Sequence, residues 1–360
     1  MIGDTFLGDA ASACLMDAPR SPLRIGFGQR STERHGLMSR DVILVTGGAG
    51  FIGSNFVEYL LERTRYIPVV LDRFDEFSVQ RYNEKLVRVI PHDLRHAVVH
   101  AGTLEQVADR VKYVVHMAAG SHVDRSITDP VGFAHDNVIG TVNLFEYVRR
   151  HLCPDMTLYF STDEVFGAAA PGETFHEFDR HEPNNPYAAA KSGGEALCPA
   201  YANTYQMPIC VTHCSNAYGP LQHLEKFVPL CIDKISRGET VLIHSRDAVP
   251  SSRMYLHVTD VCRAVQLILE CGDTIECGKL VGRYNIAGND EYSNLLVAQE
   301  IARHLELPLE YELVESVPNR PRHDQRYSIG WDRLHALGWE PRIGLDAGLK
   351  SVCEAYRRAA

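Results

Sequence analysis

Residues 42–63 read VILVTGGAGFIGSNFVEYLLER, a β-branched apolar run that passes through four glycines into an apolar pattern at helical spacing. A strand that turns through glycines directly into a helix constrains this chain more than any other feature. Gly48, Gly50 and Gly53 make GxGxxG, and Gly47, Gly50 and Gly53 make GxxGxxG in the same stretch. Without side chains the backbone can turn sharply and approach a ligand, and the free N–H groups of the helix start then face an anion such as a pyrophosphate. The segment therefore predicts the first βα unit of a dinucleotide-binding sheet, with Phe51 and Ile52 at the helix start beside the ligand. Asp72 ends the next apolar run, PVVLD, 19 residues after Gly53. A carboxylate there accepts hydrogen bonds from a ribose diol and repels a 2′-phosphate, which favours NAD over NADP. Arg73, next to it, keeps NADP open. A strand-to-helix turn with no ligand is the plainer alternative.

Past Asp72 the chain alternates strand and helix signals. LVRVIPHDL, YVVHMAA and LYFSTDEV read as strands, and Thr103–Arg110 and Phe133–Arg150 read as helices. Such alternation implies βαβ units and an α/β fold built on a doubly wound parallel (Rossmann) sheet. After about Asn216, prolines 220, 229, 250, 318 and 321 punctuate shorter elements, which predicts a smaller C-terminal substrate-binding lobe. The expected division is 1–39 as a flexible N-terminal extension, 40–215 as the NAD-binding domain and 216–360 as mainly the substrate lobe. Part of about 253–290 is expected to return to the first domain. Residues 1–39 carry no sustained periodicity, and Asp4, Asp9 and Asp17 argue against a secretory or transit peptide.

The 360 residues are 45% hydrophobic and 23% charged, enough to bury a core and to exclude a largely disordered or coiled-coil chain. No apolar run approaches the roughly 18 residues that cross a bilayer. A cytoplasmic protein with no membrane partner is expected. The formal charge of −10 leaves no basic face for nucleic acid. Ten cysteines include no CxxC pair, and no histidines cluster at metal-ligand spacing, so reduced buried thiols and no metal are expected.

Two constellations carry possible chemistry. Tyr187 and Lys191 stand in NPYAAAKSGGE at a spacing that puts both on one helical face. An ammonium near a phenol favours phenolate, which would let Tyr187 act as a base below the free phenol pKa of about 10. Thr162, Asp163 and Glu164 follow the strand LYF, 25 residues before that tyrosine, at the strand end where doubly wound folds build their sites. A hydroxyl and two carboxyls there can supply acid and base groups. A solvated turn, or a helix cap by Thr162 or Asp163, explains the triplet as well on spacing alone.

In order, TGGAGFIGS, HMAAGSHVDRSI, STDEVFG, NNPYAAAKSGGE, CSNAYGPLQHLEKFVPL, YNIAGNDEYSN and RPRHDQRY resemble the extended short-chain dehydrogenase/reductases. Within them the chain resembles the dTDP-glucose 4,6-dehydratases, from about Asp41 to the C-terminus. The resemblance implies an NAD-dependent lyase that converts an NDP-hexose, dTDP-glucose or a relative, to the NDP-4-keto-6-deoxyhexose and water by moving hydride from C4 to C6. It implies Tyr187 as the base at the 4-OH, Lys191 tuning it and holding the nicotinamide ribose, and Thr162 on the 4-oxygen. Glu164 would remove the C5 proton and Asp163 would protonate the departing 6-OH. Asp93 and Leu94, Ala118, Ala119 and Ser161 would line the dinucleotide. Ser121, Asn216, Lys226, Leu230, His244, Arg253, Asn294, Arg320, His323 and Tyr327 would grip the nucleotide sugar. A homodimer is implied too.

Several positions depart from that pattern. Gly120, His213 and Ala217 replace the family's usual Glu, Arg and Asn. LIHSRDAVPSSRMY, near His244, is about two residues longer than its counterpart, and Arg322 replaces Gly in RPGHD. The catalytic set is whole while the sugar and base pocket is rewritten. An NDP-sugar 4-epimerase or decarboxylase, a dehydratase that stops at an alkene, and a noncatalytic NAD-binding protein are the alternatives. The lack of pattern before Val42 also predicts that a chain beginning at Met38 keeps the melting temperature and turnover of the whole. A large loss of either, by calorimetry or assay, would show that residues 1–37 pack on the body.

Overall fold

In the computed structural model, which describes residues 41–79, 86–98, 102–315 and 324–359, the apolar run at 42–46 is a fully buried strand, β1 (Val42–Thr46). The expected extension 1–39 lies outside the described residues. In chain order come β2 (Ile67–Asp72), β3 (Arg88–Pro91), β4 (Val111–His116), β5 (Met156–Thr162), β6 (Ile209–Cys214) and β7 (Asn216–Tyr218). Then follow β8 (Val241–Arg246), β9 (Val249–Pro250), β10 (Ser252–His257), β11 (Arg283–Ile286), β12 (Glu291–Ser293) and β13 (Tyr311–Val314). The helices of the first half are α1 (Phe51–Arg63), α2 (Gly102–Glu105), α3 (Val123–Thr128), α4 (Pro130–Ala134), α5 (Gly140–His151) and α6 (Pro186–Tyr205). Those of the second half are α7 (Phe227–Ser236), α8 (Val258–Cys271), α9 (Asn294–Leu305), α10 (Asp332–Ala336) and α11 (Leu345–Ala359).

Seven strands form one parallel sheet in the order β11-β6-β5-β4-β1-β2-β3. Alternate residues of β1 serve opposite faces. Ile43 and Val45 join Phe56, Val57 and Leu60 of α1 and Val261 and Val265 of α8. Val42 and Leu44 join Leu144, Phe145 and Val148 of α5 and Cys198 and Ala202 of α6. A strand buried on both faces must be apolar throughout, which is why VILVT shows no alternation. The strand order reverses between β1 and β4, and in such sheets a ligand crevice opens at the carboxyl ends on either side of that reversal.

Two helices differ from expectation. Thr103–Arg110 is reduced to one α-turn, α2, and a short 3₁₀ segment at Ala108–Arg110. Phe133–Arg150 is helical throughout but contains a π-helical stretch, His135–Ile139, between α4 and α5. That extra width directs buried Asn137 at the loop after β4: its Oδ1 accepts from the Gly120 N–H at 2.8 Å and its Nδ2 donates to the Gly120 carbonyl at 3.1 Å. The second half of the chain builds two three-stranded sheets, β12-β10-β7 and β13-β8-β9, around a cluster from α7, α9 and α11. It also returns β11 to the edge of the large sheet and α8 to its face. No described helix is long and apolar enough to cross a membrane.

Helix α6 lies tightly on β5. A Cβ at Gly194 would stand 2.4 Å from the Tyr159 hydroxyl and 2.5 Å from the Asn137 carbonyl. Gly194→Ala should therefore cost about 1–3 kcal/mol as helix and strand are forced apart, read from denaturant unfolding. An unchanged midpoint would show that this contact relaxes freely.

Candidate active site

A cavity of about 380 Å³ opens at the carboxyl edge of the large sheet. The glycine loop forms one wall. Gly47 has φ +70°, and a Cβ there would meet the Ala118 N at 2.5 Å; a Cβ at Gly53 would meet the Gly47 carbonyl at 2.1 Å. Only glycine lets the loop after β1 press against the loop after β4 while α1 starts beside it. Asp72 Oδ2 accepts from the Ala49 N–H and Oδ1 from the Phe74 N–H, each at 2.9 Å. Burial raises its pKa, and those two N–H groups oppose the rise. Arg73 is held by Asp75 at 2.6 Å and Asp136 at 2.9 Å, so its charge is matched by carboxylates. A cradle that any Cβ would fill, followed by a fixed carboxylate at the end of β2, fits a dinucleotide without a 2′-phosphate.

The same cavity is bordered by Phe51, Ile52, Asp93, Leu94, Ala118, Ala119 and Ser161, and by Thr162, Glu164, Tyr187 and Lys191. Ser121, Asn216 and Lys226 border it as well. Asp163, Leu230, His244, Arg253, Asn294 and Tyr327 are not among its lining residues, and Arg320 and His323 lie outside the described residues. Tyr327 nonetheless reaches the acid pair, donating to Glu164 Oε2 at 3.4 Å and to Asp324. Arg253 stacks on the Tyr327 ring, 4.4 Å from its centroid. It donates to the carbonyls of Ser252 at 2.6 Å, Asp324 at 2.8 Å and Gln325 at 3.1 Å. Asn294 is buried, its Oδ1 accepting from the Tyr255 hydroxyl at 2.8 Å.

The triplet ends β5. Thr162 caps the short 3₁₀ turn that follows, as one reading of the sequence allowed. Asp163 is buried, and burial followed by the neighbouring Glu164 carboxylate raises its pKa to about 7. A value near 7 leaves a share of its carboxyls protonated at neutrality, which a general acid needs. Tyr187 differs from expectation. Burial, then the Glu164 carboxylate, raises its pKa, with the Thr162 hydroxyl acting the other way. The Lys191 ammonium instead donates to the Phe160 carbonyl at 2.7 Å and lies 4.3 Å over the Tyr159 ring, while burial lowers its pKa to about 8.

Two groups escaped the sequence reading. Asn185 Nδ2 donates to Glu164 Oε2 at 3.1 Å while its Oδ1 caps α6 at the Ala188 N–H, 2.9 Å. Asn before Pro at a helix start was the available signal. Glu195, one helical repeat beyond Lys191, meets His213 at 3.1 Å, His181 at 3.5 Å and the Arg283 guanidinium. Ligand atoms of His181, Glu195 and His213 come within 4.8 Å of one another, a grouping that spacing did not reveal. Arg283 already matches that carboxylate.

The family profile described as GDP-mannose 4,6 dehydratase matches residues 44–352. A dTDP-glucose 4,6-dehydratase of Streptomyces niveus is 36% identical over 330 residues, covering 88% of this chain and 92% of its own. The crystal structure of a Bacillus anthracis dTDP-glucose 4,6-dehydratase in complex with NAD is similar, with TM-score 0.74 and 32% identity across 88% of this chain and 97% of that one. A Thermus thermophilus UDP-glucose 4-epimerase complex with NAD has TM-score 0.77 and 28% identity across 89% of this chain and 100% of that one.

The Asp163 pKa makes a prediction with a definite sign. A folded-state value of about 7 against an unfolded value of about 3.9 means that the folded chain binds the extra proton, so this group weakens the fold as pH rises between those values. Asp163→Asn should gain melting temperature relative to the parent from pH 4 to pH 8, with little difference at pH 4. A difference that does not vary with pH would place the Asp163 pKa near its unfolded value.

Proposed function

Because the chain is an NAD-dependent lyase of the GDP-mannose 4,6-dehydratase family, we propose that it dehydrates an NDP-glucose, dTDP-glucose or a relative, to the 4-keto-6-deoxy sugar. The observation that carries this reading is the adjacent acid pair at the end of β5, Asp163 buried and Glu164 bordering the cavity together with Tyr187. The chemistry that bound NAD supplies is storage of a hydride between oxidation at C4 and reduction at C6. Tyr187 removes the 4-OH proton as the phenolate, a form that the positive charge of bound NAD would favour against the burial that raises its pKa, and Thr162 holds the 4-oxygen. Lys191, fixed on the Phe160 carbonyl, supports the nicotinamide side. The C4 ketone then acidifies C5, Glu164 takes that proton, and Asp163 gives its proton to the leaving 6-OH. Asn185 and Tyr327 keep the Glu164 carboxylate aimed.

The division of labour in this reading puts the dinucleotide on 40–215 and the sugar nucleotide mainly on 216–360, with Asn216, Lys226, Arg253, Asn294, Arg320, His323 and Tyr327 among the latter's contacts. A cytoplasmic homodimer belongs to the same reading. Val131, Ile139 and Tyr205 leave apolar surface exposed around α4 to α6, which supports an interface there. A 4-epimerase, which the Thermus likeness brings to mind, needs neither a C5 base nor a C6 acid.

Labelling decides between them. With substrate deuterated at C4, the label should appear at C6 of a product lighter by one water; in D₂O, one deuterium should enter at C5. Tyr187→Phe should give no reduced cofactor, while Glu164→Gln should accumulate it and lose about 10²–10⁴ in water loss. A product of unchanged mass inverted at C4 would establish the epimerase, and loss of the C4 label to solvent would exclude internal hydride transfer.

A further inference from the structure

Three separate segments meet at one side of the cavity. Phe77 comes from the turn after β2, Arg125 from α3 after β4, and His223 and Glu225 from the loop between β7 and α7; all four border the cavity together with the glycine loop. Arg125 Nη2 donates to Glu225 Oε2 at 2.6 Å. The same guanidinium lies 3.6 Å from the centroid of the Phe77 ring, and that ring meets His223 edge-on at 5.2 Å and 75°. Phe77 is itself anchored, its N–H donating to Asp75 Oδ1 at 3.0 Å, and Asp75 also holds Arg73.

We propose that Phe77, Arg125, His223 and Glu225 form a clasp that retains the dinucleotide from one turnover to the next. The inference rests on the dehydratase reading, in which hydride leaves and returns within one cycle and the cofactor has no need to exchange. The Arg125 and Glu225 side chains are 38% and 20% exposed, so the ion pair alone is weak in water. Stacking strengthens it, because a guanidinium on a ring face loses little on partial desolvation. Its larger effect is topological: one guanidinium ties α3 to both the β2 turn and the loop before α7. Opening this side of the cavity separates the ion pair and the stack together.

The whole chain, loaded with radiolabelled NAD and freed of excess by gel filtration, is chased with unlabelled NAD. Arg125→Ala and Glu225→Gln should each release label about three- to tenfold faster than the parent, and Phe77→Leu should also release it faster. The swap of Arg125→Glu with Glu225→Arg restores the ion pair without the stack on Phe77, so it should release label more slowly than Arg125→Ala yet faster than the parent, which a merely misfolded variant would not do. Circular dichroism melting in saturating NAD identifies any variant that fails to fold. Release by all single variants within about twofold of the parent would overturn the clasp, as would a swap no better than Arg125→Ala or a parent that sheds its label during filtration. The chase needs no sugar. Unchanged NAD release with a raised KM for the nucleotide sugar overturns the clasp alone, whereas the expected release pattern in a chain that dehydrates no nucleotide hexose overturns the dehydratase reading alone.

Discussion

The Lys191 ammonium bonded to the Phe160 carbonyl fixes one half of the site against the other. Tyr159, one residue earlier on β5, donates its hydroxyl back to the Lys191 carbonyl at 3.0 Å and fills the space left by Gly194. The helix that carries Tyr187 is thereby held in register with the strand that ends in Thr162, Asp163 and Glu164. Both contacts are buried, where an unpaired ammonium or hydroxyl would be costly, so slippage of α6 along β5 is opposed by polar groups as well as by packing. Asn185 adds a third tie by capping α6 and holding Glu164 with one side chain.

Behind this contact lies the charge that balances it. Burial alone would raise the Glu195 pKa, yet His213, His181 and Arg283 hold it below its ordinary value. Glu195 in turn raises the Lys191 pKa against the desolvation that lowers it. A family pattern with Arg where this chain has His213 would place a permanent cation on β6. Here the permanent cation is Arg283 on β11, and His213 is anchored through Nδ1 to Asn285 Oδ1 at 2.9 Å on that same strand. Glu195 thus pairs with two strands at once, with Arg283 on β11 and with His213 on β6.

What the sequence made legible was local. The glycine loop, Asp72, the YxxxK pair and the strand-end triplet each depend on residues a few positions apart, and the fold places all of them at one sheet edge. The helix expected at Thr103–Arg110 shortened because, among the described residues, only Leu104 and Val107 are buried there, too few for a sustained amphipathic stripe. The π-helical residues were invisible because one extra residue per turn barely changes an apolar pattern over so short a stretch. The longer segment around His244 became a β8-β9 hairpin whose two turn residues, Asp247 and Ala248, have φ +49° and +60°. Asp-Ala carries none of the glycine that usually announces such a turn. Contacts such as Arg125 with Glu225 join residues 100 positions apart, and no periodicity encodes them.

The opposing charges at this edge explain how a chain of net charge −10 can hold anionic ligands. Arg73, Arg95 and Arg125 all border the cavity, and each is already matched, by Asp75 and Asp136, by Asp93, and by Glu225. Matched cations add little net potential, so they fix carboxylates and loops more than they attract phosphate. The attraction falls to the N–H groups that begin α1 beyond Gly50, while Lys226 reaches from the start of α7 to the Ser121 carbonyl at 2.6 Å beside them. Backbone donors and a helix terminus hold an anion without the long-range field of a basic surface. An acidic exterior and a diphosphate-binding interior are therefore compatible, because the binding groups act over one or two bond lengths and the net charge acts over a screened distance.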